Sequence, residues 1–362
     1  MRRIEADDEL ELIVLLGDMH ASAEFGRTIE EAEREFASDR IELIEMGTGR
    51  GDSARVRVEN LGACLREAAR ILDARKPDIV LVHGDRADHL AVALAALTLG
   101  IVVAHTQGGD RSGNIDEIQR HAISKLAHVH FPETEEAAER LRRMGENDWR
   151  VHVVGSTYVD RIVQGLYMQE ADARAAVGLD ADERFLLVLV HPETYLDRHA
   201  NHALVKTVLG AVRATGLRAV VTYPCSDPGY EGVLAALADL DGDGRFLVRP
   251  NIDNDVYLGL MASASAIVGN SSAALVEAPY LRLPAVNVGL RQHGRTRDAN
   301  VVDAAGDDAS VRDALATALD QSFRASLRPT DRLGDGHAAE RIVGVLKGLE
   351  LDDRLRRKQL SY

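Results

Sequence analysis

The sequence predicts an α/β protein made of two doubly wound domains that face each other across a cleft. Short apolar runs, typical of buried parallel strands, alternate with amphipathic helical patterns along the chain. Glycines and polar residues follow several of these runs, at the strand ends where open α/β sheets bind ligands. The 362 residues suffice for two domains of ordinary size.

Composition excludes several classes of function. A net charge of -15 argues against a nucleic-acid surface, which is usually a basic patch. The two cysteines, Cys64 and Cys225, are far apart, so we expect no disulfide framework and a cytoplasmic location. The first residues are charged and lack the apolar region of a signal peptide, and no apolar run approaches the ~20 residues of a membrane helix. We therefore expect neither a nucleic acid nor a membrane as a partner.

Residues 1–155 form the predicted N-terminal domain. A polar loop is predicted at 19–28. The predicted strands are 10–16, 39–46, 78–82, 101–105 and 151–154, and the predicted helices include 29–36, 58–72 and 134–144.

Residues 156–335 form the predicted C-terminal domain, and 336–362 carry a last helix. The predicted strands are 185–190, 219–223, 246–248, 266–268 and 285–288, and the predicted helices are 201–214, 230–237, 254–262, 272–280 and 310–322.

Two polar groups follow the strand at 78–82. Asp85 is a candidate general base, although on sequence alone a helix cap is the favoured interpretation, because Asp is a preferred cap residue. Arg86 is a candidate for binding an anion, and a surface salt bridge is the alternative.

The next strand ends in Gly108-Gly109, where the backbone can approach a ligand closely. Asp116 then begins a helix on which Arg120 and His121 follow at helical steps. Such a cluster is either a solvated helix face or one wall of a site, in which Arg120 and His121 would be substrate ligands.

The second domain offers a candidate anion site. Asn270, Ser271 and Ser272 lie between a strand and a helix, and a helix N-terminus binds phosphate well. Arg291 can add a guanidinium fork. His191, after another strand, is either structural or placed to stabilise a leaving group. No Cys/His cluster has metal-ligand spacing, so no metal is expected. The residues alone indicate a protein that binds a phosphorylated small molecule between its domains.

Motifs spread in order over nearly the whole chain resemble those of the UDP-N-acetylglucosamine 2-epimerase family, more closely its hydrolysing branch. The matching segments are Gly84-Asp85-Arg86, Gly108-Gly109, Gly113-Asn114-Ile115-Asp116-Glu117, Arg120-His121-Ala122-Ile123-Ser124-Lys125, His191-Pro192, Gly269-Asn270-Ser271-Ser272, Glu277-Ala278-Pro279, Arg291-Gln292, Gly294-Arg295 and Gly334-Asp335-Gly336.

The resemblance implies a glycosyltransferase-B-like fold: two Rossmann-like domains, a cleft, and a C-terminal helix that crosses back to the first domain. It implies a UDP-sugar substrate, no cofactor, and, we expect, a homo-oligomer, a dimer or tetramer. Asp85 and Asp116 would be catalytic carboxylates at the sugar, and His191 would act near the sugar or the leaving diphosphate. The implied diphosphate ligands are Ser271, Ser272 and Arg291, with Glu277 at the ribose.

The implied reaction has two steps. A base removes the C2 proton of the sugar while UDP leaves C1, which gives a glycal. In the hydrolysing branch, water then adds to release free N-acetylmannosamine or a related sugar. Two alternatives remain open: a non-hydrolysing epimerase that returns UDP to the sugar, and a nucleotide-sugar-binding protein without turnover.

The chain departs from the family pattern in two places. Many members carry a catalytic Glu where this chain has Gln107, so Asp110 or Asp116 would have to compensate. Residues 2–10 resemble the end of a first helix, so the first domain is expected to lack its first strand. We expect an N-terminal extension that supplies this strand and a Thr-Gly-Thr-Arg-like loop.

Overall fold

The computed structural model describes residues 1–17, 20, 22–46 and 53–361. The predicted loop at 19–28 therefore lies partly outside the described residues. The strands are β1 (Val14–Leu16), β2 (Ile41–Leu43), β3 (Ile79–His83), β4 (Val102–Thr106), β5 (Val129–Phe131), β6 (Phe185–Leu189), β7 (Arg218–Thr222), β8 (Phe246–Arg249), β9 (Ala266–Gly269), β10 (Ala285–Val288) and β11 (Val301–Ala304).

Helices follow most strands. They are α1 (Arg2–Glu5), α2 (Ile29–Glu35), α3 (Ala54–Arg75), α4 (Ala87–Thr98), α5 (Asp116–Leu126), α6 (Glu135–Arg143), α7 (Thr157–Val163), α8 (Glu170–Val177), α9 (Arg198–Ala214), α10 (Tyr230–Ala238), α11 (Asn254–Ser263), α12 (Ala273–Val276), α13 (Asp308–Leu319), α14 (Gln321–Ser326), α15 (Ala338–Gly348) and α16 (Asp353–Arg356).

All strand pairs within the described residues are parallel, which confirms the predicted α/β class. In the second half, the order β11-β10-β9-β6-β7-β8 is that of a doubly wound sheet. In the first half, β1 pairs with β2, and β3, β4 and β5 form a separate sheet. No ladder joins β1 to β3 in the described part of the chain.

The strands β4, β6 and β9 are buried along all or nearly all of their length, as expected of parallel strands with helices on both faces. Helix α3 illustrates how an amphipathic helix packs against the sheet. Ser53 caps its first turn, and Cys64, Ala68 and Leu72 recur on one face and are buried against β3 and α4. This packing fixes the carboxyl end of β3, where the candidate site begins.

Two predicted elements were wrong in detail, and one strand was missed. Residues 151–154 make only an isolated bridge, between His130 and Val151, and β11 was not predicted. The predicted helix 272–280 is split into the four-residue α12 and a 3-10 turn at Ala278–Leu281, because Pro279 cannot continue the α-helical hydrogen bonding. No helix in the described ranges is both long and apolar enough to cross a membrane.

The C-terminal segment packs on the first half of the molecule. Ile342 and Leu346 of α15 and Leu355 of α16 are buried against Phe131 and its neighbours on β4 and β5. This contact is the crossing-back helix that the resemblance implied.

A buried charge cluster fastens the end of this segment. Lys358 donates to the carbonyls of Ser124, Lys125 and Ala127 at 3.2, 3.0 and 2.7 Å, which caps the C-terminus of α5. It also lies 2.7 Å from Glu146. Burial would raise the pKa of Glu146, but hydrogen bonds from His130, Lys125 and Lys358 outweigh it and lower the pKa to about 2.

Replacing Lys358 with Met should lower the free energy of unfolding by roughly 1–3 kcal/mol, because a buried carboxylate and three carbonyls lose a donor. Because the folded pKa of Glu146 lies below its unfolded value, the cluster stabilises above about pH 4.5, and this stability is lost as pH falls towards 2. Urea unfolding measures both effects. Lys206→Met, which breaks the exposed pair with Asp239, is the control and should cost under ~1 kcal/mol. Equal losses in both variants would contradict the assignment.

Candidate active site

The carboxyl ends of β3, β4 and β5 face those of β6, β7, β9 and β10, and the candidate residues lie between them. Gly113 and Asn114 join the two halves. The Gly113 N–H donates to the Arg291 carbonyl at 3.0 Å, and a Cβ at Gly113 would lie 2.1 Å from the Leu290 carbonyl oxygen. Asn114 Oδ1 accepts from the Thr194 hydroxyl at 3.0 Å. Only glycine permits this approach, which explains the Gly-Asn pair in the sequence.

Asp85 is held by Arg120. The Arg120 guanidinium is 1% exposed, pairs with Asp85 through Nη2, and donates from Nη1 to the Gln107 carbonyl at 3.0 Å. Sequence analysis placed Arg120 among substrate ligands. Its contacts instead favour a role in orienting Asp85.

Asp116 begins α5 and faces the same space. Burial, followed by the charges of Asp85 and Asp227, raises the pKa of Asp116 to about 7, although Arg291 lies 4.0 Å away. A carboxylate with a pKa near neutrality can accept and return a proton under ordinary conditions. The structure thus brings the two candidate catalytic carboxylates together.

His191 enters the site as a neutral imidazole. The Cys225 backbone N–H donates to its Nδ1 at 3.0 Å, so the ring proton is on Nε2. Burial, followed by the charge of Arg291, lowers the pKa of His191 to about 3. Asn270, a candidate substrate ligand, is fully buried and bonds the His191 backbone twice, at 2.7 and 2.8 Å. Asn270 therefore places His191.

Asp227 is a site residue that sequence analysis missed. It lies 3.3 Å from Arg291 and 3.7 Å from Arg86, and so holds guanidiniums of both halves together. Burial favours the neutral acid, but these two arginines outweigh it and lower the pKa of Asp227 to about 2. Its position in the loop after β7 could have marked Asp227 as a candidate, because the other candidate groups also follow strand ends.

The Ser271–Ser272 pair is less available to a ligand than the sequence suggested. Ser271 is buried, and its hydroxyl accepts from the Ala273 backbone N–H at 3.3 Å. Ser272 precedes α12, which has only four residues and therefore a weak dipole. The prediction that a helix N-terminus binds phosphate here is therefore weakened. The hydroxyl of Ser272 stays a candidate donor.

Asp110 and Glu277 lie deeper in the cleft, beside the buried Glu133, which sequence analysis also missed. Burial and the charge of Glu133 raise the pKa of Asp110 to about 6 and that of Glu277 to about 7. Arg295 lies 3.8 Å from Asp110. A cavity of about 50 Å³ is lined by Asp110, Glu133 and Arg295 among other residues.

His121, a predicted substrate ligand, contacts Glu117 one turn earlier on α5. Its Nε2 is 3.2 Å from Glu117, whose other oxygen accepts from the Ser112 backbone N–H at 2.6 Å. His121 therefore shapes the loop before α5. In the described residues, no group of three or more His, Cys, Asp or Glu side chains is placed to hold a metal ion.

The comparisons with known proteins agree with this geometry. A family model described as UDP-N-acetylglucosamine 2-epimerase matches residues 2–347. The chain belongs to the UDP-N-acetylglucosamine 2-epimerase family.

Relatives in this epimerase family are similar over most of their length. The UDP-N,N'-diacetylbacillosamine 2-epimerase (hydrolyzing) of Legionella pneumophila is 30% identical, over 100% of this chain and 94% of that protein. The UDP-N-acetylglucosamine 2-epimerase of Neisseria meningitidis is 30% identical, over 86% of this chain and 81% of that protein. A crystal structure of a Neisseria meningitidis UDP-GlcNAc 2-epimerase bound to UDP-GlcNAc superposes with a TM-score of 0.74 at 17% identity, covering 96% of this chain and 95% of that one. This similarity confirms the predicted glycosyltransferase-B-like fold.

Proposed function

We propose that the chain is a hydrolysing 2-epimerase of UDP-N-acetylglucosamine or of a related UDP-diacetamido sugar. The observation that carries the proposal is the pair Asp85 and Asp116, opposite the neutral His191 and the Arg86–Asp227–Arg291 cluster. This arrangement suits removal of a proton beside a bond that breaks towards an anionic leaving group.

Asp116 takes the C2 proton of the sugar, because its pKa of about 7 matches that task. UDP leaves C1 at the same time, and the electron pair of the C2–H bond forms the glycal double bond. Asp85, oriented by Arg120, presents a negative charge to the positive charge that develops at C1. Closure of the cleft excludes water while the proton moves.

The second domain binds the diphosphate. Arg291 and Arg86 supply guanidiniums, Ser272 and Ser271 supply hydroxyls, and His191 Nε2–H donates to the departing oxygen. Glu277 binds the ribose, as the family resemblance implies. We assign residues 1–155 to the sugar, 156–335 to the nucleotide and 336–362 to the crossing segment.

Water then adds to C1 of the glycal and a proton returns to C2, which gives the free 2-epimeric sugar. The Legionella relative is similar over the whole chain and is itself a hydrolysing 2-epimerase, which supports this hydrolysing outcome. A non-hydrolysing epimerase, which returns UDP to C1, is the second candidate, supported by the Neisseria relative. We also propose a homo-oligomer, which light scattering of the purified chain would test.

Product analysis separates these candidates. The chain is incubated with UDP-N-acetylglucosamine, and separately with UDP-N,N'-diacetylbacillosamine, in D₂O and followed by NMR. The proposal requires free 2-epimeric sugar, UDP, and deuterium at C2. A UDP-linked epimer establishes the non-hydrolysing reaction, and UDP binding without turnover of either sugar establishes a binding protein.

Asp85→Asn and Asp116→Asn should each lower turnover at least ~100-fold, because one loses the charge facing C1 and the other loses the proton acceptor. UDP affinity, measured by calorimetry, should stay within a few-fold of wild type. Asp148→Asn, at a carboxylate whose side chain is 81% exposed, is the matched control. Turnover like that of wild type in either variant would refute its assigned role.

The rate should fall at low pH with an apparent pKa near 7, because protonated Asp116 cannot accept the C2 proton. The raised pKa sets the sign: activity is present above about pH 7 and declines roughly tenfold per unit below it. A kcat/KM profile between pH 5 and 9 measures this limb. A profile that is flat down to pH 5.5 would exclude Asp116 as the base.

Arg291→Ala should weaken UDP binding by roughly 1.5–3 kcal/mol, as expected for hydrogen bonds to a charged group. Calorimetry with UDP measures the change. Arg213→Ala, which removes an exposed arginine paired with Asp243, should leave UDP affinity unaltered. Equal affinities in the two variants would remove Arg291 from the nucleotide site.

A further inference from the structure

Glu133 is a buried carboxylate to which the proposed reaction assigns no role. It follows β5 and is 4% exposed. Its Oε1 accepts a hydrogen bond of 2.9 Å from Gln107 Nε2. In the ranges that the structure describes, no lysine, arginine or histidine lies within 4.0 Å of its carboxylate, and the Arg120 guanidinium acts on it only from a longer distance. A buried carboxylate without an ion partner is costly, so the bond to Gln107 calls for an explanation in function.

Gln107 has an unfavourable backbone conformation. Its φ is +61°, in the left-handed region that residues with a Cβ rarely adopt. Two contacts hold it there: the backbone N–H donates to the Phe131 carbonyl at 3.1 Å, and the amide reaches Glu133. Its Oε1 lies against Gly84, 3.1 Å from where a Cβ would lie. Such strain persists only where the surroundings enforce it, and it concentrates at functional sites.

The strained peptide also positions a site residue. The Gln107 carbonyl accepts from Arg120 Nη1 at 3.0 Å, and Nη2 of the same guanidinium pairs with Asp85. Arg120 is almost fully buried, so it has few other orientations available. The direction of the Gln107 carbonyl therefore helps to set the position of Asp85.

We propose that Glu133 is a positioning residue: by binding the Gln107 side chain it holds the Gln107 peptide in the left-handed conformation, which fixes Arg120 and, through it, Asp85. This inference rests on the proposed function, because it assigns a role in that reaction. Glu133 does not touch the sugar in this scheme. It acts through two intervening residues and through hydrogen bonds rather than through its charge.

Glu133→Ala removes the acceptor and should lower kcat about 10–100-fold, because a small misplacement of a catalytic group has an effect of this size. The KM for the UDP-sugar and the UDP dissociation constant should change less than about threefold, since the proposed diphosphate ligand Arg291 is held by Asn270 and Asp227 and not by Glu133. Glu133→Gln keeps an oxygen that accepts from Gln107, so its kcat should stay within about threefold of wild type. Glu135→Ala, at an exposed carboxylate two residues away, is the matched control.

A double-mutant cycle tests the route through Gln107. Glycine adopts a positive φ without support, so in a Gln107→Gly background the Glu133 side chain has nothing to hold. Glu133→Ala should then change kcat less than about twofold, against the tenfold or greater loss in the wild-type background. Coupling of this kind distinguishes positioning from general destabilisation.

Several results would overturn the inference. These are an unchanged kcat in Glu133→Ala, a parallel loss of UDP affinity, an equal loss in Glu133→Gln, or additive losses in the cycle. If Glu133→Ala does not fold, a Glu133→Gln variant that folds but loses kcat tenfold overturns it as well, and one that retains kcat supports it. A wild-type chain that turns over neither sugar refutes the proposed function and this inference together. If the wild type is active and Glu133→Ala leaves kcat unchanged, this inference alone is refuted.

Discussion

The site depends on one buried guanidinium. Arg120 comes from α5, yet its two nitrogens reach the loop after β3, through Asp85, and the end of β4, through the Gln107 carbonyl. Because the group is buried, it must be matched by acceptors, and loss of Asp85 would remove the carboxylate paired directly with it. Helix α5 also carries Asp116, so this one side chain fixes both candidate catalytic carboxylates relative to the sheet.

The second half of the molecule contacts this site through backbone packing as well as through ion pairs. Gly113 packs on the Arg291 segment, while Asp227 holds Arg86 and Arg291 from opposite sides of the cleft. The proposed nucleotide ligands are therefore coupled to the proposed sugar site before any ligand binds. A diphosphate that binds Arg86 and Arg291 would compete with Asp227 for the same guanidiniums, so nucleotide binding and contact across the cleft share one set of interactions.

The sequence predicted the fold class well and the site incompletely. Strand and helix periodicity is a local property, and Asp85, Asp116 and His191 all follow strands, so the strand-end rule located them. Roles that depend on burial and partners were not visible. Arg120 and Asn270 resembled ligands but make their bonds to the protein, while Asp227 and Glu133 follow strands without a motif to mark them. A pattern of residue types does not show which of its members faces solvent.

Charge balance in the cleft sets a further constraint on function. Several carboxylates lie in the cleft, and a diphosphate adds more negative charge. Burial, and after it the charges of neighbouring carboxylates, raise the pKa values of Asp110, Asp116 and Glu277, so these groups can take up protons when an anion enters. Proton uptake favours nucleotide binding but removes the base that the proposed chemistry requires at Asp116. The Asp227 carboxylate, kept ionised between Arg86 and Arg291, is the group best placed to resolve this conflict. If the diphosphate displaces it from these guanidiniums, binding exchanges one anion for another and the charge on Asp116 need not change.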